Sequence, residues 1–176
     1  MKVGILSFQG SFLDHSKSIL SIGATPVLIK NEADIYELDA LILPGGESTA
    51  MKKIDSYSKV FSLLDDFINS GKPTLSTCAG TILLAKDVIG GDTTIPNIDI
   101  QVTRNAYGRQ TESFEGSVSF YDNNDIYCFI RAPKITKILT DKVKVIAKHN
   151  DEIVGVKQDN IVALTFHPEL NNDKYY

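Results

Sequence analysis

Apolar runs in the first half of the chain alternate between the length of buried strands and the spacing of helices. The strand-like runs fall at residues 2–7, 25–30, 38–43 and 74–77. Apolar positions recur at helical spacing over residues 12–22, 60–68 and 81–86, which predicts helices with one buried face. In the first helix these positions are Phe12, Leu13, Ile19, Leu20 and Ile22. The alternation predicts βαβ units around a mostly parallel sheet.

Beyond Gly90 the pattern changes to β-branched runs that are separated by turn residues. These runs fall at residues 98–103, 116–121, 125–130, 143–148, 153–157 and 161–166. Asn150 and Asp151 stand between two of the runs, and such residues favour tight turns because their side chains bond the local backbone. We therefore predict one α/β domain over residues 1–176, with an antiparallel β extension after the parallel part.

Composition and charge narrow the classes of function. Of the 176 residues, 43% are hydrophobic and 23% are charged, and 22 acidic against 18 basic side chains give a net charge of −4. A mildly acidic chain offers no basic field to a phosphate backbone, so nucleic acid is a poor first candidate for a ligand. No apolar run approaches the roughly 20 residues that cross a bilayer, and the N-terminus lacks the pattern of a secretory signal. We expect a cytoplasmic protein that binds neither nucleic acid nor membrane.

The cysteines and histidines also limit the chemistry. Two cysteines, Cys78 and Cys128, lie far apart in the chain, which predicts reduced thiols rather than a disulfide scaffold. No Cys/His cluster has the spacing of metal ligands, so we expect neither a metal nor a cofactor. Cys128 lies in an apolar strand-like run and is expected in the core. His149 precedes a turn and is expected in solvent, and His15 follows Asp14 on the first helix, where we expect a surface or partner-facing residue.

Cys78 stands where the fourth predicted strand meets the following helix, in the segment Ser76-Thr77-Cys78-Ala79-Gly80. A strand-to-helix turn of this kind is a nucleophile elbow, which presents the side chain at the carboxyl end of the sheet. The helix N-terminus favours a thiolate, and backbone N–H groups such as that of Ala79 point towards a developing oxyanion. A buried apolar role is commoner for an arbitrary cysteine, but the small neighbours and the turn favour a nucleophile here.

A thiol nucleophile needs a base, and the end of the last predicted strand supplies one in Phe166-His167-Pro168-Glu169. If the segment is extended, His167 and Glu169 point to the same face. Glu169 would then orient the imidazole and stabilise its protonated form. A histidine at a strand end is by itself more often a surface or core residue, but with a separate cysteine elbow the segment favours a Cys-His-Glu triad.

A glycine turn, Pro44-Gly45-Gly46-Glu47-Ser48, leaves the third predicted strand. Glycines allow a ligand to approach the backbone closely, and successive N–H groups bind anions. An ordinary strand-to-helix turn with Ser48 as the helix N-cap explains the same residues. The segment alone does not separate these two interpretations.

Seven segments, at residues 3–11, 44–49, 77–80, 104–110, 113–115, 129–133 and 166–170, carry motifs that occur together in one family. They resemble the glutaminase subunits of pyridoxal 5′-phosphate synthases, a family of class I glutamine amidotransferases, over nearly the whole chain. The cysteine elbow and His-Pro-Glu are shared by all class I amidotransferases. The blocks Gly-Gly-Glu-Ser-Thr, Arg-Asn-Ala-Tyr-Gly-Arg-Gln and Phe-Ile-Arg-Ala-Pro point to this family within the class. The chain departs from it at Ser76, where the family usually has glycine.

The resemblance implies a flavodoxin-like three-layer fold and a reaction. Cys78 would attack the side-chain amide of L-glutamine, while His167, paired with Glu169, moves protons. A glutamyl thioester would form, ammonia would leave for a synthase partner, and water would release glutamate. The partner would be the synthase subunit of pyridoxal 5′-phosphate synthase, which makes vitamin B6.

The resemblance also implies a glutamine site, formed by Gly46, Glu47, Ser48, Arg104, Ile130 and Arg131. Arg104 or Arg131 would meet the substrate carboxylate through charge-assisted hydrogen bonds. The oxyanion hole would use the amides of Gly45, Gly46 and Ala79, with Gln9 and Gly10 beside it. Two alternatives remain at this point: an amidotransferase subunit that serves another synthase, and a regulatory subunit without catalysis.

Overall fold

The computed structural model describes residues 1–106 and 113–171, and within these ranges the chain forms twelve strands and four α-helices. The strands are Lys2–Leu6 (β1), Thr25–Ile29 (β2), Ala40–Leu43 (β3), Thr74–Thr77 (β4), Ala85–Ile89 (β5), Ile98–Thr103 (β6), Phe114–Phe120 (β7), Asn123–Phe129 (β8), Lys134–Ile138 (β9), Lys144–His149 (β10), Glu152–Gln158 (β11) and Ile161–Leu164 (β12). The helices are Phe12–Ser21 (α1), Ser48–Ser58 (α2), Val60–Asn69 (α3) and Ala79–Leu84 (α4). Two short 3-10 helices cover Glu32–Ile35 and Pro168–Leu170.

The main sheet has nine strands in the order β2-β1-β3-β4-β12-β11-β10-β7-β8. Its first five strands run parallel to one another, and β11, β10, β7 and β8 continue it with antiparallel pairings. The predicted parallel sheet with an antiparallel extension is therefore confirmed. A second, three-stranded sheet has the order β5-β6-β9.

Alternating side chains place helices on both faces of the parallel part. Val3 and Ile5 of β1 pack with Ile19 of α1 on one face. Leu6 and Leu43 belong to the larger core on the other face, which includes buried residues of α2, α3, α4 and the second sheet. The three layers follow from this period of two along each strand.

The sequence patterns missed several elements. Helix α2 and strands β5 and β9 were not predicted. The expected helix over residues 81–86 is wrong at both ends, because α4 begins at Ala79 and ends at Leu84, where the chain continues as β5. Helix α1 forms as predicted, but Leu13 and Leu20 are 58% and 62% exposed. Its buried residues are His15, Ser18 and Ile19.

The helices of the described part are all short. None of them has both the length and the apolar character that a bilayer crossing by a helix requires.

Candidate active site

Cys78 lies between β4 and α4 in a backbone conformation that is rare for an L-residue, with φ 46° and ψ −107°. Its amide donates to the carbonyl of Leu164 at 2.9 Å, and its thiol approaches the carbonyl oxygen of Ile130 at 3.6 Å. Positive φ in a residue other than glycine costs on the order of 1–3 kcal/mol and persists where surrounding contacts hold it. The predicted strand-to-helix elbow at Cys78 is present in the structure.

Strand pairing brings His167 to this elbow from a distant part of the sequence. Strand β12 runs parallel to β4, with Leu164 opposite Thr77, so the chain leaves both strands at the same edge of the sheet. Thr81 of α4 donates its hydroxyl to the carbonyl of Leu164 at 2.7 Å. The amide of His167 donates to the carbonyl of Cys128 at 3.0 Å.

His167 is buried and hydrogen-bonded to Glu169, with Nδ1 2.7 Å from Oε1. Burial by itself lowers the pKa of His167, but Cys78 and Glu169 outweigh burial and raise the pKa to about 10. A Cβ built on Gly45 would lie 2.3 Å from His167 Cε1 and 3.2 Å from Cys78 Cβ, which shows that the two side chains converge on this glycine. A protonated imidazole beside the cysteine suits a nucleophile, because a neighbouring positive charge favours the ionised form of a thiol.

Glu169 reaches His167 in a different way from the one we expected. The segment is not extended: Glu169 lies in the 3-10 helix Pro168–Leu170, and His167 is its N-cap residue. The tight turn still directs the carboxylate to the imidazole, so the contact forms although the extended-strand argument is wrong. Burial raises the pKa of Glu169, but the hydrogen bond with His167 and nearby charges lower it more, and the net pKa lies below the ordinary value.

The glycine turn after β3 packs directly against the elbow. The amide of Gly45 donates to Thr77 Oγ1 at 3.0 Å, and the amide of Glu47 donates to Gln9 Oε1 at 2.5 Å. A Cβ on Gly46 would lie 2.5 Å from Gln9 Oε1, and one on Gly10, whose φ is +101°, would lie 1.8 Å from the carbonyl oxygen of Gly45. The structure thus directs the Gly45 amide to Thr77, which differs from the role in an oxyanion hole that we expected for it.

A small cleft opens above the thiol. Its lining contains Gly46, Glu47, Ser48, Cys78, Ala79, Ile82, Arg104, Asn105 and Arg131. Glu47 Oε1 lies 3.3 Å from Arg104 Nη2. The hydroxyl of Thr49, then its amide and then the charge of Arg104 outweigh burial and hold the pKa of Glu47 below its ordinary value. Glu47, not Ser48, is the N-cap of α2. Residues 107–110 of the predicted Arg104–Gln110 motif lie outside the described residues.

Three expectations for single residues need correction. His15 is fully buried rather than at the surface, with Nε2 3.5 Å from Glu169 Oε2. Cys128 is partly exposed, not in the core, and burial followed by the charge of Glu115 raises the pKa of its thiol. His149 is partly buried against Phe114 and Phe129, and its Nδ1 lies 2.8 Å from the carbonyl oxygen of Ser117.

Sequence reasoning missed Ser11, His15 and Thr77 as neighbours of the triad. Ser11 Oγ donates to Glu169 Oε1 at 2.7 Å. His15 lies on α1 and Ser11 is its N-cap residue. Both precede His167 by 152 or more positions, so no local spacing connects them with the triad. The signal available was a histidine that falls on the same helical face as Ile19, at i and i+4.

A larger cavity of about 420 Å³ lies on the α1 face of the main sheet. It is mostly apolar, and its lining includes Val3, Ile19, Ile42, Leu75, Phe120 and Val162. Its lining includes neither a cysteine nor a histidine, so we assign the chemistry to the smaller cleft at Cys78. Over residues 1–106 and 113–171, no group of three His, Cys, Asp or Glu side chains is arranged to hold a metal ion.

A family model and the relatives that match this chain point to the same family. A model of the "SNO glutamine amidotransferase family" matches residues 5–176. A protein of Methanocaldococcus jannaschii named "Pyridoxal 5'-phosphate synthase subunit PdxT" is 46% identical over 176 residues, which cover 99% of this chain and 93% of that protein. A protein of the same name from Bacillus cereus is 45% identical, covering 98% of this chain and 89% of its own length.

Solved structures share the fold. A structure titled "Crystal structure of glutamine amidotransferase" has a TM-score of 0.90 and 34% identity, and the match covers 97% of this chain and 92% of that one. "Structure of PurLQS from Thermotoga maritima" has a TM-score of 0.73 at 14% identity, with 98% and 90% of the chains covered. The second likeness concerns the fold alone.

Proposed function

The chain belongs to the SNO glutamine amidotransferase family, and from this premise we propose that it is the glutaminase subunit of a pyridoxal 5′-phosphate synthase. It hydrolyses L-glutamine to L-glutamate and ammonia, and the ammonia passes to the synthase subunit for the biosynthesis of vitamin B6. The observation that carries the proposal is the strained Cys78 elbow beside a buried His167 that is hydrogen-bonded to Glu169 at 2.7 Å.

The triad divides the reaction into two steps. The Cys78 thiolate attacks the side-chain amide carbon of glutamine, and the His167 imidazolium gives its proton to the leaving nitrogen, which departs as ammonia. His167 then takes a proton from water, and the resulting hydroxide attacks the thioester and releases glutamate and the thiolate. Glu169 keeps the imidazole oriented and stabilises its charge in both steps.

The charges of the cleft suit a free amino acid. We assign Arg104 or Arg131 to the glutamine carboxylate and Glu47 to its ammonium group, with Gly46, Ser48 and Ile130 completing the walls. Arg104 and Glu47 already pair across the cleft, so an incoming zwitterion exchanges one ion pair for two charge-assisted contacts. The amides of Gly46 and Ala79 are the oxyanion donors that we propose, with Gln9 and Gly10 adjacent, and rotation of the glycine turn would free that of Gly45.

The remaining assignments concern the whole chain. We propose that residues 1–176 act as one glutamine amidotransferase domain and that the protein works in the cytoplasm. Both cysteines are unpaired, as is usual in a reducing compartment. Fractionation of cells that express the tagged protein tests the location directly.

Glutamate release, with and without the synthase partner, tests the catalytic assignment. Cys78→Ala should lower hydrolysis at least a thousandfold, while Cys128→Ala, which removes the other thiol, should leave it unchanged. Arg104→Gln should raise KM for glutamine about tenfold with little change in kcat. Activity that survives in Cys78→Ala overturns the mechanism, and partner binding without any hydrolysis by the parent protein would favour a regulatory subunit.

A further inference from the structure

The Glu169 carboxylate has two oxygens in different surroundings. Oε1 lies 2.7 Å from His167 Nδ1 and also accepts the Ser11 hydroxyl at 2.7 Å. Oε2 is buried without a hydrogen-bond partner among the described residues, and His15 Nε2 lies 3.5 Å from it. A buried carboxylate oxygen that loses its polar neighbour carries the cost of its desolvation, which makes this contact important.

His15 has the chemistry to serve that oxygen. Its side chain is fully buried in α1, and its Nε2 lies 3.2 Å from Thr77 Oγ1 as well. Burial lowers the pKa of His15 to about 4, so the ring is neutral at pH 7. With its proton on Nε2, which we assign because a carboxylate can only accept, the ring donates towards both oxygens.

Ser11 is placed for the same purpose. It occupies the N-cap position of α1 but makes no side-chain cap hydrogen bond, although serine is favoured there because its oxygen usually accepts a backbone N–H. Its hydroxyl goes to Glu169 instead. The residue therefore gives up the local helix contact for a contact with the triad.

These contacts close into a ring with the glycine turn. The Gly45 amide donates to Thr77 Oγ1 at 3.0 Å, and the Gly45 carbonyl accepts the Ser11 amide at 3.1 Å. The path thus runs from Gly45 through Thr77 and His15 to Glu169, and returns through Ser11. It connects the triad carboxylate with the turn beside the thiol.

We propose that Ser11 and His15 are positioning residues that hold the Glu169 carboxylate in line with His167 and in register with the Gly45 turn. The inference deepens the proposed function and rests on it. Without these two contacts the carboxylate can rotate, His167 loses its oriented partner, and the Cys78–His167 pair is less often in its ionised form.

A pH-dependent test must account for every charged group near the pair. The groups that act on His15, His167 or Glu169 are Asp14 and His15 on α1, Cys78 at the elbow, Cys128 on β8, and His167 and Glu169 themselves. Replacing Cys128 by serine removes the second thiol, because the chain has two cysteines. Alkylation by iodoacetamide then reports Cys78 alone.

The experiment measures the alkylation rate of Cys78 against pH in Cys128→Ser protein. His15→Phe and Ser11→Ala should lower the rate at pH 7 about tenfold and raise the apparent midpoint of the Cys78–His167 pair by about one unit. His15→Gln, whose amide can donate from the position of Nε2, should restore most of the rate. Ser18→Ala is the matched control, because Ser18 Oγ bonds only the Asp14 carbonyl of its own helix, and it should behave like the parent.

In the glutaminase assay, His15→Phe and Ser11→Ala should lower kcat with KM unchanged, because Glu169 is buried and is not among the residues that line the cleft at Cys78. Folded Ser11→Ala and His15→Phe proteins with the alkylation profile of the parent, together with an unaffected kcat, would overturn the positioning role. A parent protein whose Cys78 shows no thiolate reactivity near neutral pH would instead overturn the proposed function itself. Alkylation needs neither glutamine nor a partner, so the two failures are distinguishable.

Discussion

His15 shows how a single buried polar residue decides which face of a helix is hidden. The apolar spacing of α1 suggested that Leu13 and Leu20 face the core, but the structure exposes them and buries His15, Ser18 and Ile19. The reason is not local: Thr77 and Glu169, from two other parts of the chain, supply the polar partners that allow an imidazole inside. A helical pattern contains no information about such partners.

Acid should destabilise the protein through His15. The pKa of His15 is about 4 in the folded protein and about 6.5 in an unfolded chain, so between these values the unfolded state binds the extra proton. Above about pH 6.5, His15 is neutral in both states and does not lower the free energy of unfolding. As the pH falls towards about 4, protonation of His15 in the unfolded chain lowers the free energy of unfolding by up to roughly 3 kcal/mol. Urea unfolding of the parent and of His15→Gln, from pH 7 to pH 4, should show a shallower loss in the variant.

The comparison with Ser18→Ala isolates the histidine, because that substitution removes a buried hydroxyl of the same helix without a titrating group. Its unfolding free energy should decline in parallel with that of the parent. Parallel curves for the parent and His15→Gln would contradict a buried neutral histidine. Glu169, whose pKa is lowered, adds a loss at still lower pH.

At the scale of elements, the strands of the parallel part and the elbow were predictable, whereas three elements were not. Helix α2 has the sequence Ser-Thr-Ala-Met-Lys-Lys-Ile-Asp-Ser-Tyr-Ser, in which Ser48 and Met51 are the buried residues, so its apolar stripe is too narrow to read. Strand β5 directly follows α4, and its Ala85 and Val88 continue an apolar run that also suits a helix. The prediction of the site depended less on these elements. Cys78 and His167 follow two parallel strands, and a parallel sheet brings the carboxyl ends of its strands together.

The elbow should be intolerant of any side chain at Gly80. A Cβ there would lie 2.0 Å from the carbonyl oxygen of Leu43 and 2.7 Å from its carbon, and a backbone carbonyl of a central strand cannot move aside cheaply. We expect Gly80→Ala to cost about 3 kcal/mol of unfolding free energy. It should also lower glutaminase activity about a hundredfold, since a displacement of α4 moves the thiol.

Gly71→Ala separates crowding from backbone strain. Gly71 has a φ of +85° and open space around its missing side chain, so the substitution should cost only about 1 kcal/mol, from the left-handed conformation. Its activity should remain that of the parent. If Gly80→Ala and Gly71→Ala lose equal amounts of stability and activity, crowding against Leu43 is not the reason for glycine at position 80.

At the scale of the molecule, two sheets share one core, and a buried hydrogen bond joins them. The large core contains Leu43 and Leu64 of the main layers together with Ile98 and Ile100 of the second sheet. The amide of Asp99 in β6 donates to Gln158 Oε1 in β11 at 2.7 Å. Because the two sheets contribute to the same core, we expect the described parts to unfold together.

Gln158→Met tests that coupling. The substitution removes the acceptor and leaves the buried Asp99 amide unsatisfied, which should cost about 2 kcal/mol, while the two sheets should still unfold in one transition. Guanidinium unfolding can be followed by circular dichroism, which reports both sheets, and by tyrosine fluorescence. None of the seven tyrosines lies in β5, β6 or β9, and the chain has no tryptophan, so fluorescence does not report the second sheet.

The two signals should coincide in the parent and in Gln158→Met, with the midpoint shifted to lower denaturant in the variant. Gln101→Met is the matched control, because Gln101 bonds Asp87 and Thr136 within the second sheet and does not join it to the main sheet. Its cost should stay below about 1 kcal/mol, since the amide of an exposed pair is replaced by water. If the circular dichroism of Gln158→Met changes at a lower guanidinium concentration than its fluorescence, the second sheet unfolds on its own. That result would contradict a single cooperative unfolding transition.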